Sequence, residues 1–116
     1  MGFKFEDLRV WKLSIDLSTE VNTLIKTFPS EEKFILATQI QRAADSVALN
    51  IAEGSTGQSN AEFKKFLGYS IRSGIEVVSC LYLGQKRKII SDSDFKKLYN
   101  SYEELIIKLQ ALKNSI

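Results

Sequence analysis

Apolar residues recur along this chain at steps of three and four, the spacing of one face of an α-helix. In the first segment, from about Leu8 to Phe28, the face is Leu8, Trp11, Ile15, Ser18, Val21 and Ile25. Phe28-Pro29-Ser30 ends it, because the residue before a proline avoids the helical region. Ser30 suits the N-cap of a second helix, with Glu31 and Glu32 at the positive end of its dipole. That helix carries Phe34, Ala37, Gln41, Ala44, Val47, Ala48 and Ile51 on one face. It is rich in small residues (Ala37, Ala43, Ala44, Ser46, Ala48, Ala52), which let a neighbour approach closely, so it is expected to be the most buried helix. Gly54 stands where a C-terminal glycine cap belongs.

Residues 54–59 (GSTGQS) are the one stretch of linker composition. Ser59 with Glu62 three residues on is a capping-box pattern, opening a third helix that reaches about Arg87 or Lys88. Its core face is Phe63, Phe66, Leu67, Ser70, Gly74, Val77, Val78 and Leu81. Ser91 and Asp94 repeat the capping logic before the last helix. There Phe95, Leu98, Tyr102, Leu105, Leu109, Leu112 and Ile116 step as regularly as a coiled-coil seam. Four amphipathic helices joined by short connections predict an all-α fold, an antiparallel up-down-up-down four-helix bundle occupying residues 1–116 as one domain.

Composition narrows the chemistry. The 116 residues are 44% hydrophobic and 26% charged, ordinary for a soluble globular protein. No run of about 18 apolar residues occurs, and MGFKFEDLRV is too charged for a signal peptide, so no membrane contact and a cytoplasmic location are expected. A single cysteine, Cys80, excludes an internal disulfide and a Cys-rich zinc site; it reads as a core thiol. The chain has no histidine, which removes Ser-His-Asp and Cys-His nucleophile pairs, Glu-x-x-His di-iron sites and zinc hydrolases. Neither a phosphate loop nor a nucleotide fingerprint is present. No catalytic residue, cofactor or metal ligand is therefore assigned.

Charge is unevenly placed. Residues 60–88 hold Lys64, Lys65, Arg72, Lys86, Arg87 and Lys88 against Glu62 and Glu76, a net +4 within a chain of net +2. On a helical wheel Lys64, Lys65, Arg72 and Lys86 share a face roughly opposite the core stripe, with Arg87 beside its end. Such a stripe either keeps the helix solvated or follows a phosphate backbone.

The first helix is apolar over more than its core stripe needs. Val10, Leu13, Leu17 and Leu24 form a second stripe, which either deepens the helix's burial or meets another subunit. Arg42, Asp45 and Glu53 interrupt an otherwise apolar helix and are expected to be paired across helices, since a buried charge must be. Asn50 reads as a register-fixing polar group. A pocket of Arg42, Glu53 and Arg72, of the kind helical mutases use, is the enzymatic alternative. Tyr69, Tyr82, Tyr99 and Tyr102 read as half-buried packing rather than base-stacking platforms.

Several of these pieces fall in a recognisable order: Phe5-Glu6-Asp7-Leu8-x-Val10-Trp11-Lys12, then Phe28-Pro29-x-x-Glu32-x-Phe34. Gln39-Ile40-x-Arg42-Ala43-Ala44-x-Ser46-Val47-x-x-Asn50-Ile51-Ala52-Glu53-Gly54 and Glu62-Phe63-x-x-Phe66-Leu67 follow. Over nearly its whole length the chain resembles the four-helix bundle proteins encoded by intervening sequences in bacterial 23S rRNA genes. Accessory proteins of diversity-generating retroelements belong to the same superfamily. The resemblance implies a bundle that assembles into a ring, commonly a pentamer. For the retroelement relatives it also implies binding of nucleic acid and a reverse transcriptase through a basic surface. One departure is Gln58 after Gly57, where family members often carry an arginine; it removes a positive charge from the loop.

The reading adopted is a non-enzymatic homo-oligomer that binds RNA or DNA through Lys64, Lys65, Arg72, Lys86 and Arg87, and itself through Val10, Leu13, Leu17 and Leu24. A structural module that binds another protein, with no nucleic acid, is the alternative. The small-molecule enzyme comes third.

Overall fold

Ser59 and Ser91 cap their helices with the hydroxyl half of a capping box: their hydroxyls accept from the backbone N–H of Glu62 and Asp94, each at 3.1 Å. The computed structural model describes residues 2–116, and among these it contains four α-helices and no strand. They are α1 (Arg9–Ile25), α2 (Leu36–Gly54), α3 (Asn60–Lys86) and α4 (Asp92–Ser115), with single 3₁₀ turns at Lys4–Asp7 and Ser30–Glu32. The helices run up, down, up and down, each packed on its chain neighbours, and α4 closes back loosely on α1. The result is a rod of 43 × 23 × 20 Å.

The core is Val21 of α1, Ile40, Val47 and Ile51 of α2, Leu67, Val77 and Leu81 of α3, and Tyr102, Leu105 and Leu109 of α4. As its small residues predicted, α2 is the most buried helix, with nine of its 19 residues inside. Its seam with α3 is closed by a buried hydrogen bond, the Ser70 hydroxyl donating to the Val47 carbonyl at 2.9 Å. Beside it the Ser73 hydroxyl donates to that of Ser46, also at 2.9 Å. Cys80 lies in the same seam, and burial pushes its thiol above the ordinary cysteine value.

Three local expectations are corrected. First, α1 is rotated by about a quarter turn from its expected face. Val10, Ser14, Leu17, Val21 and Leu24 point inward, while Ile15 is 39% exposed and Trp11 and Ile25 lie at the core's margin. Ser14 is accommodated inside because its hydroxyl donates to the Trp11 carbonyl at 2.7 Å. Trp11 is covered instead by Phe5 of the first 3₁₀ turn, edge to face at 4.7 Å.

Second, α2 starts at Leu36, six residues after the Ser30 cap that the sequence suggests. Ser30 makes no capping hydrogen bond, and Phe34 is 90% exposed. Phe28 and Leu36 anchor the two ends of this connection in the core, and the Glu32 carboxylate is drawn to Arg87 at 3.3 Å. These tertiary contacts outweigh a cap worth about 1 kcal/mol.

Third, Gly54 is the last helical residue and not a left-handed cap; the positive φ, 88°, belongs to Gly57 in the loop. Gly54 is needed for closeness. A Cβ there would lie 2.6 Å from the Cβ of Phe66 and 3.1 Å from Phe63 Cδ1.

Candidate nucleic-acid interface

Because α3 turns its apolar residues toward α2 and α4, its basic residues are left on the outside. Lys65, Arg72 and Lys86 are exposed, and Lys64 is half-buried on the flank toward α4. From Lys65 to Lys86 the stripe runs about 31 Å along the helix at 1.5 Å per residue. Among the described residues Lys64, Arg72 and Lys86 have no carboxylate within ion-pair distance. Lys65 meets Glu62 at 3.4 Å, an exposed pair of little energetic weight that leaves the lysine available.

Arg87 does not belong to this stripe. It lies on the flank toward the 3₁₀ turn Ser30–Glu32 and pairs with Glu32, clasping that turn to the end of α3. Arg87 is the first residue beyond α3, and the Glu32 carboxylate holds its guanidinium at 3.3 Å.

Where α3 meets the last turns of α4, the stripe opens into a groove of about 340 Å³. It is lined by Lys65, Gly68, Tyr69, Ile71, Arg72, Gln110 and Lys113. Three cations and no carboxylate surround it. Lys113 is the residue that sequence reasoning missed, and Tyr69, read there as half-buried packing, stands exposed beside the groove. Lys113 stands among Leu109, Leu112 and Ile116, and the pattern alone does not tell which flank of α4 faces α3. Tyr69 is 40% exposed, its ring held edge-on against Phe66 at 5.6 Å.

The other candidates are placed as follows. Val10, Leu17 and Leu24 are buried within the chain and Leu13 packs half-buried against them, so the second stripe of α1 is core and offers no surface to a subunit. Exposed apolar residues lie elsewhere, with Phe3, Leu49, Ile75 and Ile107 among them. Phe34, Ile35 and Leu83 flank adjoining grooves between α2 and α3, the larger about 500 Å³ and containing Gln39, Arg42, Ser46 and Glu76. Gln39 Nε2 donates there to Glu76 Oε2 at 2.6 Å.

Arg42, Glu53 and Arg72 do not converge. Arg42 and Glu53 are 11 residues apart on one helix, about 16 Å, and Arg72 faces outward from α3. Arg42, Asp45 and Glu53 are exposed, not buried, and among the described residues none forms an ion pair. Asp45 accepts hydrogen bonds from the Ser18 hydroxyl of α1 and from Gln41 Nε2 of its own helix. Asn50, by contrast, bonds within α2, to the carbonyl and hydroxyl of Ser46. Tyr82 and Tyr99 pack around Phe95, while Tyr102 is wholly buried and its hydroxyl has no partner. Among the described residues no three His, Cys, Asp or Glu side chains gather to hold a metal ion. Among the described residues no helix is long and apolar enough to cross a membrane.

The 23S rRNA-intervening sequence protein family matches residues 6–111, almost the full length of this bundle. The chain belongs to that family. A member of the S23 ribosomal protein family from Bacteroides thetaiotaomicron, a protein of unknown function, has a crystal structure of the same fold. The two superpose with a TM-score of 0.84 at 24% identity, over 90% of this chain and 95% of the other. No curated protein sequence matches. This member of the 23S rRNA-intervening sequence protein family therefore shares its four-helix fold with that S23 family member.

Proposed function

We propose that the protein is a non-enzymatic binding module that associates with copies of itself and holds nucleic acid on the basic face of α3. The observation that carries this reading is the carboxylate-free groove with Lys65, Arg72 and Lys113 around it, continued along α3 by Lys86. Arg72 and Lys113 have no carboxylate within ion-pair distance and Lys65 has only an exposed one, and such cations gain free energy by releasing the counterions condensed on a polyanion. A self-associated protein would repeat the stripe, and repetition along one strand raises avidity without a new contact.

The test is a titration with labelled RNA and DNA at varied salt. Binding is expected at about 50 mM salt and largely lost by about 200 mM. The triple substitution Lys65→Glu, Arg72→Glu and Lys113→Glu is expected to abolish it with helicity unchanged. A triple variant that binds like the parent overturns this reading.

Exposed Phe34, Ile35 and Leu83 favour a second reading of the α2–α3 face. Apolar side chains clustered beside a groove are what a protein partner covers. Self-association is assigned to this face, and with it the site for any further protein.

A further inference from the structure

Lys65, Tyr69 and Arg72 stand at i, i+4 and i+7 on α3 and so form one row down its outer face. Lys65 lies about 6 Å below the tyrosine along the helix axis and Arg72 about 4.5 Å above it. Lys113 reaches the same groove from α4, and Gln110 supplies an amide beside it. The aromatic ring is thus bracketed by cations on both sides, with a third across the groove. Tyr69 does not swing freely. Its ring and that of Phe66 lie nearly perpendicular with centres 5.6 Å apart, and Lys65 Nζ sits 5.6 Å from the Phe66 ring centre.

An aromatic face set between phosphate-binding cations makes a demand that a cationic stripe alone does not. A base can lie on such a ring only if its own face is free, and in a duplex the neighbouring bases occupy both faces. We infer that this groove takes a single strand of nucleic acid, with one base stacked on Tyr69 and the flanking phosphates held by Lys65, Arg72 and Lys113. The inference rests on the basic-face reading and adds to it the strandedness of the ligand and the role of Tyr69. Stacking is indifferent to base identity, since every base presents a π-face, so little sequence preference is expected.

The experiment compares Tyr69→Leu and Tyr69→Phe with the parent, using a 20-nucleotide oligouridylate, the matching oligothymidylate and a duplex of equal length. Helicity and melting temperature are recorded for each variant. Tyr69→Leu is expected to lose roughly five- to a hundredfold in single-strand affinity, the worth of one stacked base. Tyr69→Phe keeps the ring and is expected to bind as the parent does. Duplex is expected to bind more weakly than either single strand and to be indifferent to both substitutions. The two oligonucleotides separate RNA from DNA, because only the first offers a 2′-hydroxyl to Gln110.

If duplex binds the parent as tightly as single strand and Tyr69→Leu changes nothing, the stacking inference falls while the basic-face reading stands. If the parent binds none of the three at low salt, both fall. Loss in Tyr69→Phe equal to that in Tyr69→Leu assigns the effect to the hydroxyl and overturns the stacking role.

Discussion

Lys113 of α4 rests over Gly68 of α3, its Nζ 3.6 Å from the point a Cβ on that glycine would occupy. The bare backbone at Gly68 forms the floor across which the ammonium reaches the groove. A methyl group at this distance makes ordinary contact, and alanine is favoured over glycine inside a helix by about 1 kcal/mol. Gly68→Ala is therefore expected to raise the melting temperature and leave binding intact. Gly68→Leu fills the floor, displaces Lys113 and weakens nucleic-acid binding at unchanged helicity. Equal binding by both variants would show that Lys113 plays no part.

Self-association separates two faces of the molecule. Leu17 is core, and Leu17→Glu places a charge among apolar side chains, a change expected to cost more than about 3 kcal/mol and to unfold the chain. Phe34→Glu changes a side chain that is 90% exposed, so the fold persists and only the assembly is affected. Light scattering is expected to report an oligomer for the parent, with five subunits as the size implied by resemblance, and a smaller species for Phe34→Glu. A folded Phe34→Glu of parental size would move the interface off the α2–α3 face.

Tyr102 carries a wholly buried hydroxyl without a hydrogen-bond partner. An unsatisfied polar group costs about 1–3 kcal/mol, so Tyr102→Phe is expected to stabilise the bundle by about 1 kcal/mol in denaturant unfolding. Burial, with Asp45 and Glu20 adding negative charge nearby, pushes the phenol well above the ordinary tyrosine range. The folded state then keeps its proton where the unfolded chain has lost it. Stability is complete below about pH 10 and falls above it, by up to about 1.4 kcal/mol per pH unit. The slope attributable to this group should vanish in Tyr102→Phe.

Lys88 holds a left-handed backbone, φ 61°, at the end of α3. The Ile89 N–H reaches the Gly84 carbonyl at 3.0 Å and the Lys88 N–H reaches that of Gln85 at 3.0 Å, the two bonds of a Schellman ending. A glycine takes this conformation without a Cβ clash. Lys88→Gly is expected to stabilise by about 0.5–1 kcal/mol, and Lys88→Val to destabilise by at least as much. Thermal melts of the two variants check the sign.

The hydrophobic period by itself determined that this chain makes four helices, because steps of three and four bury a stripe only when the backbone is helical. It determined two helix starts, since the hydroxyls of Ser59 and Ser91 act on N–H groups three residues away, and it marked α2 as the innermost helix through its alanines. It also assigned the basic stripe to the outer face of α3, the side opposite Leu67, Val77 and Leu81. What the sequence left open was everything set by a neighbour. Two apolar stripes on α1 could each have been the core, and the position of α2 and α4 decided for Val10, Leu17 and Leu24. Ser30 could have capped a helix, but the burial of Phe28 and Leu36 and the Glu32–Arg87 pair turned the segment aside and exposed Phe34. The groove belongs wholly to the tertiary structure: Tyr69 and Lys113 are 44 positions apart, and only the antiparallel packing of α4 on α3 brings them together. Helical periodicity states which residues share a face. Which face meets which neighbour depends on packing between helices, and a single helix carries no record of that.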